Sequence, residues 1–278
     1  GAPESRRSGR SRKARSLVAT WSGETAGLGR VQALGCVLNL ATGSCPPLSV
    51  DPDRTASQSP LSAQGRIFWL AAESGGNSSL RACAPDSAGS ECVEYDLGLP
   101  PARRSFLRSD GETLTWIEHE RGQRVALCPI DRATGACPAR VLPDTISPFS
   151  RVAVSGNLVA WVKFSFGRNQ PLLLCEFDPE TGACPPIEVA ADVNDSTPRL
   201  SGSRLVWDAS VGDEASDVFF CEYDAALRRC PIQRLTAQMG TQSESDIAGQ
   251  RVIWLDERSG PVAVYGITLP RFVQLESA

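Results

Sequence analysis

Residues 197–235 decide the fold, and they read TPRLSGSRLVWDASVGDEASDVFFCEYDAALRRCPIQRL. A short strand runs to a turn at Ser201-Gly202-Ser203, and the apolar run within Arg204–Asp208 marks a buried second strand. A polar loop leads to a third strand at Asp217–Tyr223, and a tight turn leads to a fourth strand around Pro231–Leu235. The segment therefore predicts one antiparallel unit of four short strands.

The same unit recurs along the whole chain. Every tryptophan lies 45 to 48 residues from the next, and the six are Trp21, Trp69, Trp116, Trp161, Trp207 and Trp254. Ten cysteines form five pairs, each nine residues apart: Cys36/Cys45, Cys83/Cys92, Cys128/Cys137, Cys175/Cys184 and Cys221/Cys230. The sixth unit has no cysteine, and we expect Gly266 to lie where its first one would be. Six units of this length predict an all-β, six-bladed β-propeller of four-stranded blades.

Turn residues support this organisation. Five units carry a glycine shortly before the tryptophan, at a hairpin that needs a positive φ: Gly65, Gly111, Gly156, Gly202 and Gly249. The third turn has its own chemistry in Asp178-Pro179-Glu180-Thr181-Gly182, where Pro and Gly suit a tight hairpin. With the turn centred there, we expect the two flanking cysteines to lie opposite each other and to form a disulfide within each of blades 1 to 5.

A metal site is the alternative reading of the cysteines. Zinc motifs use spacings of two to four residues and usually include histidine, which this pattern lacks. Five short disulfides indicate an oxidising compartment, so we expect a secreted, cell-surface or periplasmic protein. We expect neither a metal nor a cofactor.

Composition excludes some classes of partner. The net charge is −4, but residues 1–15 carry six cations and one acid, so the rest of the chain carries −9. A weakly acidic body is not typical of a nucleic-acid binder, and no apolar run approaches the roughly 20 residues that span a bilayer. We expect residues 1–14 to be a basic, disordered arm and residues 15–278 to form one propeller domain.

At this point the sequence resembles a known family. The segments SGSRLVWD (201–208), IAGQRVIWLDERSG (247–260) and CEFDPETGAC (175–184) resemble the repeat of TolB-like six-bladed propellers. In that repeat a turn glycine precedes an apolar strand that ends in an aromatic residue. The resemblance covers residues 16–276 and implies a periplasmic or cell-surface binding protein. Related propellers carry enzymes, so the fold implies no reaction.

The tryptophans allow two interpretations. Exposed indole faces could stack on sugar rings, whereas buried ones would pack neighbouring blades together. All six occupy one register inside apolar strands such as Arg66-Ile67-Phe68-Trp69, which favours packing.

Few residues suggest acid–base or metal chemistry. The one histidine, His119, lies between Glu118 and Glu120, whose charges would raise its pKa, or it lies in a solvated loop. Acidic residues that could bind calcium, or simply face solvent, are Asp213, Glu214, Asp217, Asp256 and Glu257. Glycosylation sequons begin at Asn77 and Asn194.

Two functions remain. The first is a non-catalytic propeller that binds a protein or glycan through one face of the ring, where the loops Val50–Pro60, Ala190–Pro198 and Thr236–Asp246 converge. The alternative is a secreted hydrolase or polysaccharide lyase with acid and base groups in the central channel. The scarcity of histidine favours the first.

The ends of the repeat suggest how the ring closes. We expect blade 1 to have three firm strands, with residues 1–12 disordered or adding a weak inner strand. The final strand should lie at Phe272–Leu275, and the seam between the first and last blades should rest on Trp21 and Trp254.

Overall fold

The computed structural model describes residues 17–25, 30–39, 42–50, 57–86, 90–120, 122–148, 150–165, 170–193, 196–210, 215–237, 239–258 and 260–270. These residues form six antiparallel sheets, four of them four-stranded and two three-stranded. The architecture confirms the six-bladed β-propeller, and the sheets are called blades 1 to 6 in chain order.

The strands of the first three blades are as follows. Blade 1 contains β1 (Leu17–Thr25), β2 (Arg30–Leu38) and β3 (Leu48–Ser49). Blade 2 contains β4 (Ser57–Ala63), β5 (Arg66–Ala72), β6 (Ser78–Pro85) and β7 (Cys92–Tyr95), with a short 3-10 turn at Ser74–Gly76. Blade 3 contains β8 (Arg104–Ser109), β9 (Thr113–Glu118), β10 (Arg124–Pro129) and β11 (Arg140–Thr145).

The other three blades repeat the pattern. Blade 4 contains β12 (Ala153–Ser155), β13 (Leu158–Val162), β14 (Leu172–Glu176) and β15 (Ile187–Ala190). Blade 5 contains β16 (Arg199–Ser201), β17 (Arg204–Ser210), β18 (Ser216–Glu222) and β19 (Gln233–Arg234). Blade 6 contains β20 (Gln242–Ala248), β21 (Arg251–Asp256) and β22 (Ala263–Thr268).

The first strands of successive blades lie side by side around the centre of the ring. In blades 2 to 6 these innermost strands are β4, β8, β12, β16 and β20, and each contacts the next. In blade 1 the strand that carries the tryptophan is β1, and it packs against β4. Two expectations, the basic arm at residues 1–14 and the final strand at Phe272–Leu275, lie outside the described residues.

The second strand of each inner blade is apolar because neighbouring blades cover both of its faces. All residues of β9 and of β13 are buried. Trp207 packs in one cluster with Ala160 and Leu172 of the preceding blade, and Trp116 packs likewise with Phe68. Trp69, Trp116, Trp161, Trp207 and Trp254 are at most 5% exposed, which leaves no indole face free for a sugar ring.

The structure corrects the expected seam. Trp254 packs with Val206 and Phe220, so it belongs to the interface between blades 5 and 6 and not to the seam with blade 1. Ile253, on the opposite face of β21, is 49% exposed. The matching Phe68 and Ala160 are fully buried, because blades 2 and 4 have a neighbour packed on that face.

Five disulfides lie within single blades, as expected for blades 1 to 5. Their Cα–Cα separations are 5.3 to 5.4 Å, and they join Cys36 to Cys45, Cys83 to Cys92, Cys128 to Cys137, Cys175 to Cys184 and Cys221 to Cys230. The cysteines are not directly opposite, however. In blade 2, Cys83 pairs in register with Glu94 and Cys92 pairs with Pro85, so the bond crosses the hairpin diagonally.

The expectation for Gly266 is wrong by one residue. In blade 5 the first cysteine, Cys221, pairs with Leu205, two residues before the tryptophan, and the other disulfide-bonded blades do the same. In blade 6 the corresponding residue, Val252, pairs with Ile267. A Cβ on Gly266 would come within 2.8 Å of the Val252 carbonyl oxygen, so glycine permits this close approach.

Candidate binding site at the centre of the ring

Three of the innermost strands, β4, β8 and β20, carry a bulge at the same position of the repeat, and the bulged residue of β4 is Ser59, with φ 54°. The pairing of β8 shifts between Ser105 and Arg108, and that of β20 shifts between Ser243 and Asp246. The bulged residue Phe106 has φ 55°, and Glu244 has φ 51°. A positive φ costs a side-chain-bearing residue about 1 kcal/mol or more, and such strain clusters at functional sites. Residues with a strained backbone therefore lie on three of the strands that line the centre, and the centre is the candidate site.

Three arginines from three successive blades lie at this centre. Arg108 is on β8, Arg151 comes two residues before β12, and Arg199 begins β16. Burial first, and then the positive charges of Arg151 and Arg199, lower the pKa of the Arg108 guanidinium. Because arginine stays protonated in proteins, the cluster keeps its positive charge at neutral pH.

The Arg151 guanidinium stacks on the ring of Phe106. Its central carbon lies 4.3 Å from the ring centroid, a cation–π contact that holds the plane in place. Stacking occupies the face of the guanidinium and leaves the N–H groups on its edge available. Those N–H groups are the ones that bind a carboxylate in a bidentate manner.

Carboxylates of blades 5 and 6 lie on the other side of the cluster. Asp246 Oδ1 is 3.8 Å from Arg199 Nε, and Glu244 is exposed on the neighbouring bulge. Ser245 donates a hydrogen bond of 3.2 Å to Asp208 Oδ1. The centre therefore presents cations on blades 3 to 5 and carboxylates on blades 5 and 6.

Asp208 is a charged residue at a position that is apolar in the neighbouring blades. It directly follows Trp207, whereas the residues that follow the tryptophans of the adjacent blades 4 and 6 are Val162 and Leu255. Burial raises the pKa of Asp208, the hydrogen bonds from Ser245 oppose the rise, and the Glu244 charge adds to it. A charged residue at an apolar repeat position points to function rather than packing.

His119 directly follows β9 of blade 3 and is not part of the arginine cluster. Its Nε2 is 2.7 Å from Ser105 Oγ, and the side chain is partly buried. Burial and the nearby Arg103 lower its pKa, and the Glu118 charge opposes them only weakly. The expected upward shift from flanking carboxylates is therefore wrong, and neither is His119 a freely solvated loop residue.

Two of the acidic residues that could bind calcium, Asp217 and Asp256, accept hydrogen bonds inside the protein, whereas Glu257 is exposed. Asp217 is buried and accepts hydrogen bonds from Arg234 and Thr236. Asp256 accepts from Arg258, and that bond above all holds the pKa of Asp256 far below its usual value. Across the part of the chain that the structure describes, no group of three or more His, Cys, Asp or Glu could hold a metal ion.

Of the other predicted features, some lie within the described residues and some do not. Asn77 is exposed beside the 3-10 turn, so its sequon is accessible. Asp213, Glu214 and the sequon at Asn194 lie outside the described residues. No helix among the described residues is long and apolar enough to cross a membrane.

Sequence reasoning missed the arginine cluster. The charges of the site stand out from the repeat only when the innermost strands are aligned by their pairing with the second strands. On each of these strands, one residue pairs with the residue that precedes the tryptophan on the second strand. It is Leu61 in blade 2, Arg108 in blade 3, Ala153 in blade 4, Arg199 in blade 5 and Asp246 in blade 6. Charge at three of these five positions could have indicated the site.

Comparisons with known proteins agree with the β-propeller fold. No family model matches the chain, and no curated protein matches its sequence. The β-propeller domain of the trilobed protease of Pyrococcus furiosus, which has an open velcro topology, matches with a TM-score of 0.58 at 11% identity, over 90% of this chain and 77% of that one. A prolyl endopeptidase matches with a TM-score of 0.61 at 13% identity, over 92% of this chain but only 39% of its own length.

A third match is TolB of Acinetobacter baumannii. It has a TM-score of 0.46 at 13% identity, over 89% of this chain and 65% of that one. The identities to the trilobed protease and to the prolyl endopeptidase are so low that those two likenesses show the β-propeller fold and nothing of activity.

Proposed function

We propose that this chain is a non-catalytic, TolB-like binding propeller that takes a protein or glycan partner at the centre of one face of its ring. The observation that carries the proposal is the cluster of Arg108, Arg151 and Arg199, which three separate blades bring to one place. Guanidinium groups hold anions but do not exchange protons near neutral pH. The cluster therefore favours binding over turnover.

The disulfides support a place of action outside the cytosol. Five cystines in one chain of 278 residues are typical of oxidising compartments. The proposal is accordingly a secreted, cell-surface or periplasmic protein.

Binding to printed probes tests the proposal. The wild-type protein is applied to one array of acidic and neutral glycans and to another of acidic and basic peptides, beside Arg108→Gln. The control is Arg140→Gln, because Arg140 is exposed on the outer strand β11, away from the centre. We expect the retained probes to be lost with Arg108→Gln and kept with Arg140→Gln. Equal retention by both variants, or no retained probe, would contradict the proposal.

One observation favours the enzyme alternative enough to test it. Burial raises the pKa of Asp208, which lies near the Glu244 carboxylate, and a raised pKa is what a carboxyl needs to act as a general acid. A hydrolase or lyase would cleave mixed polysaccharides or peptides and would lose that activity in Asp208→Asn. The binding proposal expects no cleavage by either protein.

A further inference from the structure

We infer that the ligand of the central site carries carboxylates and hydroxyls together, as an oligosaccharide of uronic acids does. The inference rests on the proposed function, since it names the partner of that same site. It follows from the division of the centre into a basic side and an acidic side.

The arginines of the basic side can pair with more than one carboxylate of a ligand. Arg108, Arg151 and Arg199 come from blades 3, 4 and 5, so three neighbouring blades each supply one positive charge. Arg151 is already held in place on Phe106 and loses little freedom when it binds. The three guanidiniums carry three positive charges, and a chain of acidic sugars offers one carboxylate per unit to pair with them.

The acidic side decides between a sugar and an acidic peptide. Glu244 is exposed, and the Asp246 side chain is 62% exposed beside Arg199. Carboxylates accept hydrogen bonds from hydroxyls, and those bonds are charge-assisted. The rings of a uronate carry hydroxyls that can donate to Glu244 and Asp246, whereas the side chains of a polyglutamate carry only further carboxylates, which these two residues would repel.

The absence of free aromatic faces among the described tryptophans is consistent with this mode. Neutral sugars are commonly held by stacking on aromatic rings. Here the five described indoles are buried, and Arg151 lies over one face of the partly exposed Phe106 ring at the centre. Recognition therefore depends on charge, and a neutral sugar has little to hold it.

Calorimetric titration tests the inference with three probes of matched length. They are trigalacturonate, its neutral methyl ester and a triglutamate peptide, each titrated into wild-type protein, Arg108→Gln, Glu244→Gln and the outer-strand control Arg140→Gln. Thermal unfolding of each variant shows that it is folded. We expect trigalacturonate to bind at least about tenfold more tightly than either other probe, as one or two charge-assisted hydrogen bonds would give.

Substitution of Glu244 should change the affinities for the two acidic probes in opposite directions. Arg108→Gln should weaken trigalacturonate binding about tenfold, and Arg140→Gln should leave it unchanged. Glu244→Gln should weaken trigalacturonate about threefold, because an amide accepts hydroxyl hydrogen bonds less strongly than a carboxylate. The same variant should strengthen triglutamate binding, because it removes a repulsive charge.

The outcomes separate the inference from the proposed function. Tighter binding of triglutamate than of trigalacturonate, with sensitivity to Arg108→Gln, would overturn the uronate inference and leave a binding site at the centre. Binding of the methyl ester as tight as that of trigalacturonate would also overturn it. Binding of no probe, or binding indifferent to Arg108→Gln, would overturn both the inference and the central site.

Discussion

Asp208 is a carboxyl whose ionised form the folded protein disfavours. Burial raises its pKa above the ordinary 3.8, so the folded protein disfavours its ionised form. The stability that this carboxyl contributes is present below pH 3.8 and is lost as the pH rises through the folded value. At pH 7 the native state therefore holds an ionised group in an unfavourable place.

Replacing Asp208 by its neutral isostere should consequently stabilise the protein. Asp208→Asn keeps the shape and the hydrogen bond to Ser245, so we expect a higher thermal midpoint at pH 7. The gain should shrink as the pH approaches 3.8, where wild-type Asp208 is itself neutral. A lower midpoint at pH 7 would mean that the charge stabilises the fold and would remove the argument for a functional role.

Trp207 illustrates the opposite case of a residue retained for packing. It is 1% exposed, and its ring stacks on Phe219 at a centroid distance of 5.8 Å. Trp207→Ala should lower the free energy of unfolding by about 3–5 kcal/mol, as for other deleted buried aromatics. Leu227→Ala is the control, because Leu227 is exposed. Urea titration measures both, and a loss within about 0.5 kcal/mol for Trp207→Ala would contradict the packing role.

At the scale of the element, the disulfide-bonded hairpin is the repeated device. Asp178 accepts hydrogen bonds from Glu180 N and from Thr181 Oγ1, and these bonds lower the pKa of its carboxyl. The same arrangement recurs at Asp131 and Thr134 in blade 3. The turn is thus ordered by its own side chains, and the disulfide adds to a hairpin that is already formed.

Removal of one disulfide should cost moderate stability without loss of the fold. We expect the double variant Cys221→Ala/Cys230→Ala to lower the free energy of unfolding by about 2–3 kcal/mol, because the closed loop is short. Chemical denaturation measures the change, and near-ultraviolet circular dichroism checks that the fold persists. Complete unfolding of the variant would show that the hairpin depends on its disulfide for its structure.

The repeat explains how far sequence alone could predict these elements. Second strands such as β9 and β17, and the pairing of the cysteines, follow from periodicity and turn chemistry. The bulges at Phe106 and Glu244 do not, because neither carries the glycine that usually announces a positive φ. The register that puts Ile267 where other blades have cysteine depends on strand pairing, which spacing along the chain does not reveal.

The candidate site could not be predicted from the sequence, for a related reason. Arg108, Arg151 and Arg199 lie about 45 residues apart and belong to no motif, so only the packing of successive blades brings them together. Binding at one face of the ring stays a prediction from the sequence, and spacing along the chain could not show which charges converge there.

For the whole molecule, the repeated interfaces should make stability uneven around the ring. Asp110, Ser155 and Ser201 each accept a hydrogen bond from the turn glycine of the next blade, at Gly156, Gly202 and Gly249. The residue at this position in blade 6 is Ala248, which has no acceptor. Ile253 of the same blade is exposed, so blade 6 lacks two contacts that join the inner blades.

Hydrogen exchange can detect this difference. Amides of β21 should exchange faster than those of β9 and β13, which are buried on both faces. Mass spectrometry of peptic fragments gives the rates strand by strand. Equal protection of β21 and β13 would mean that blade 6 is held as firmly as the inner blades.

The central claim is that a ligand binds where three blades bring their arginines together, and chemical footprinting tests it most directly. The protein is treated with phenylglyoxal, which modifies arginine side chains, with and without saturating trigalacturonate, and each site is quantified by mass spectrometry. The account predicts that the ligand slows modification of Arg108, Arg151 and Arg199 and leaves Arg132 and Arg140, on exposed parts of blade 3, unchanged. Unchanged modification of the three central arginines, with protection elsewhere on the surface, would contradict it.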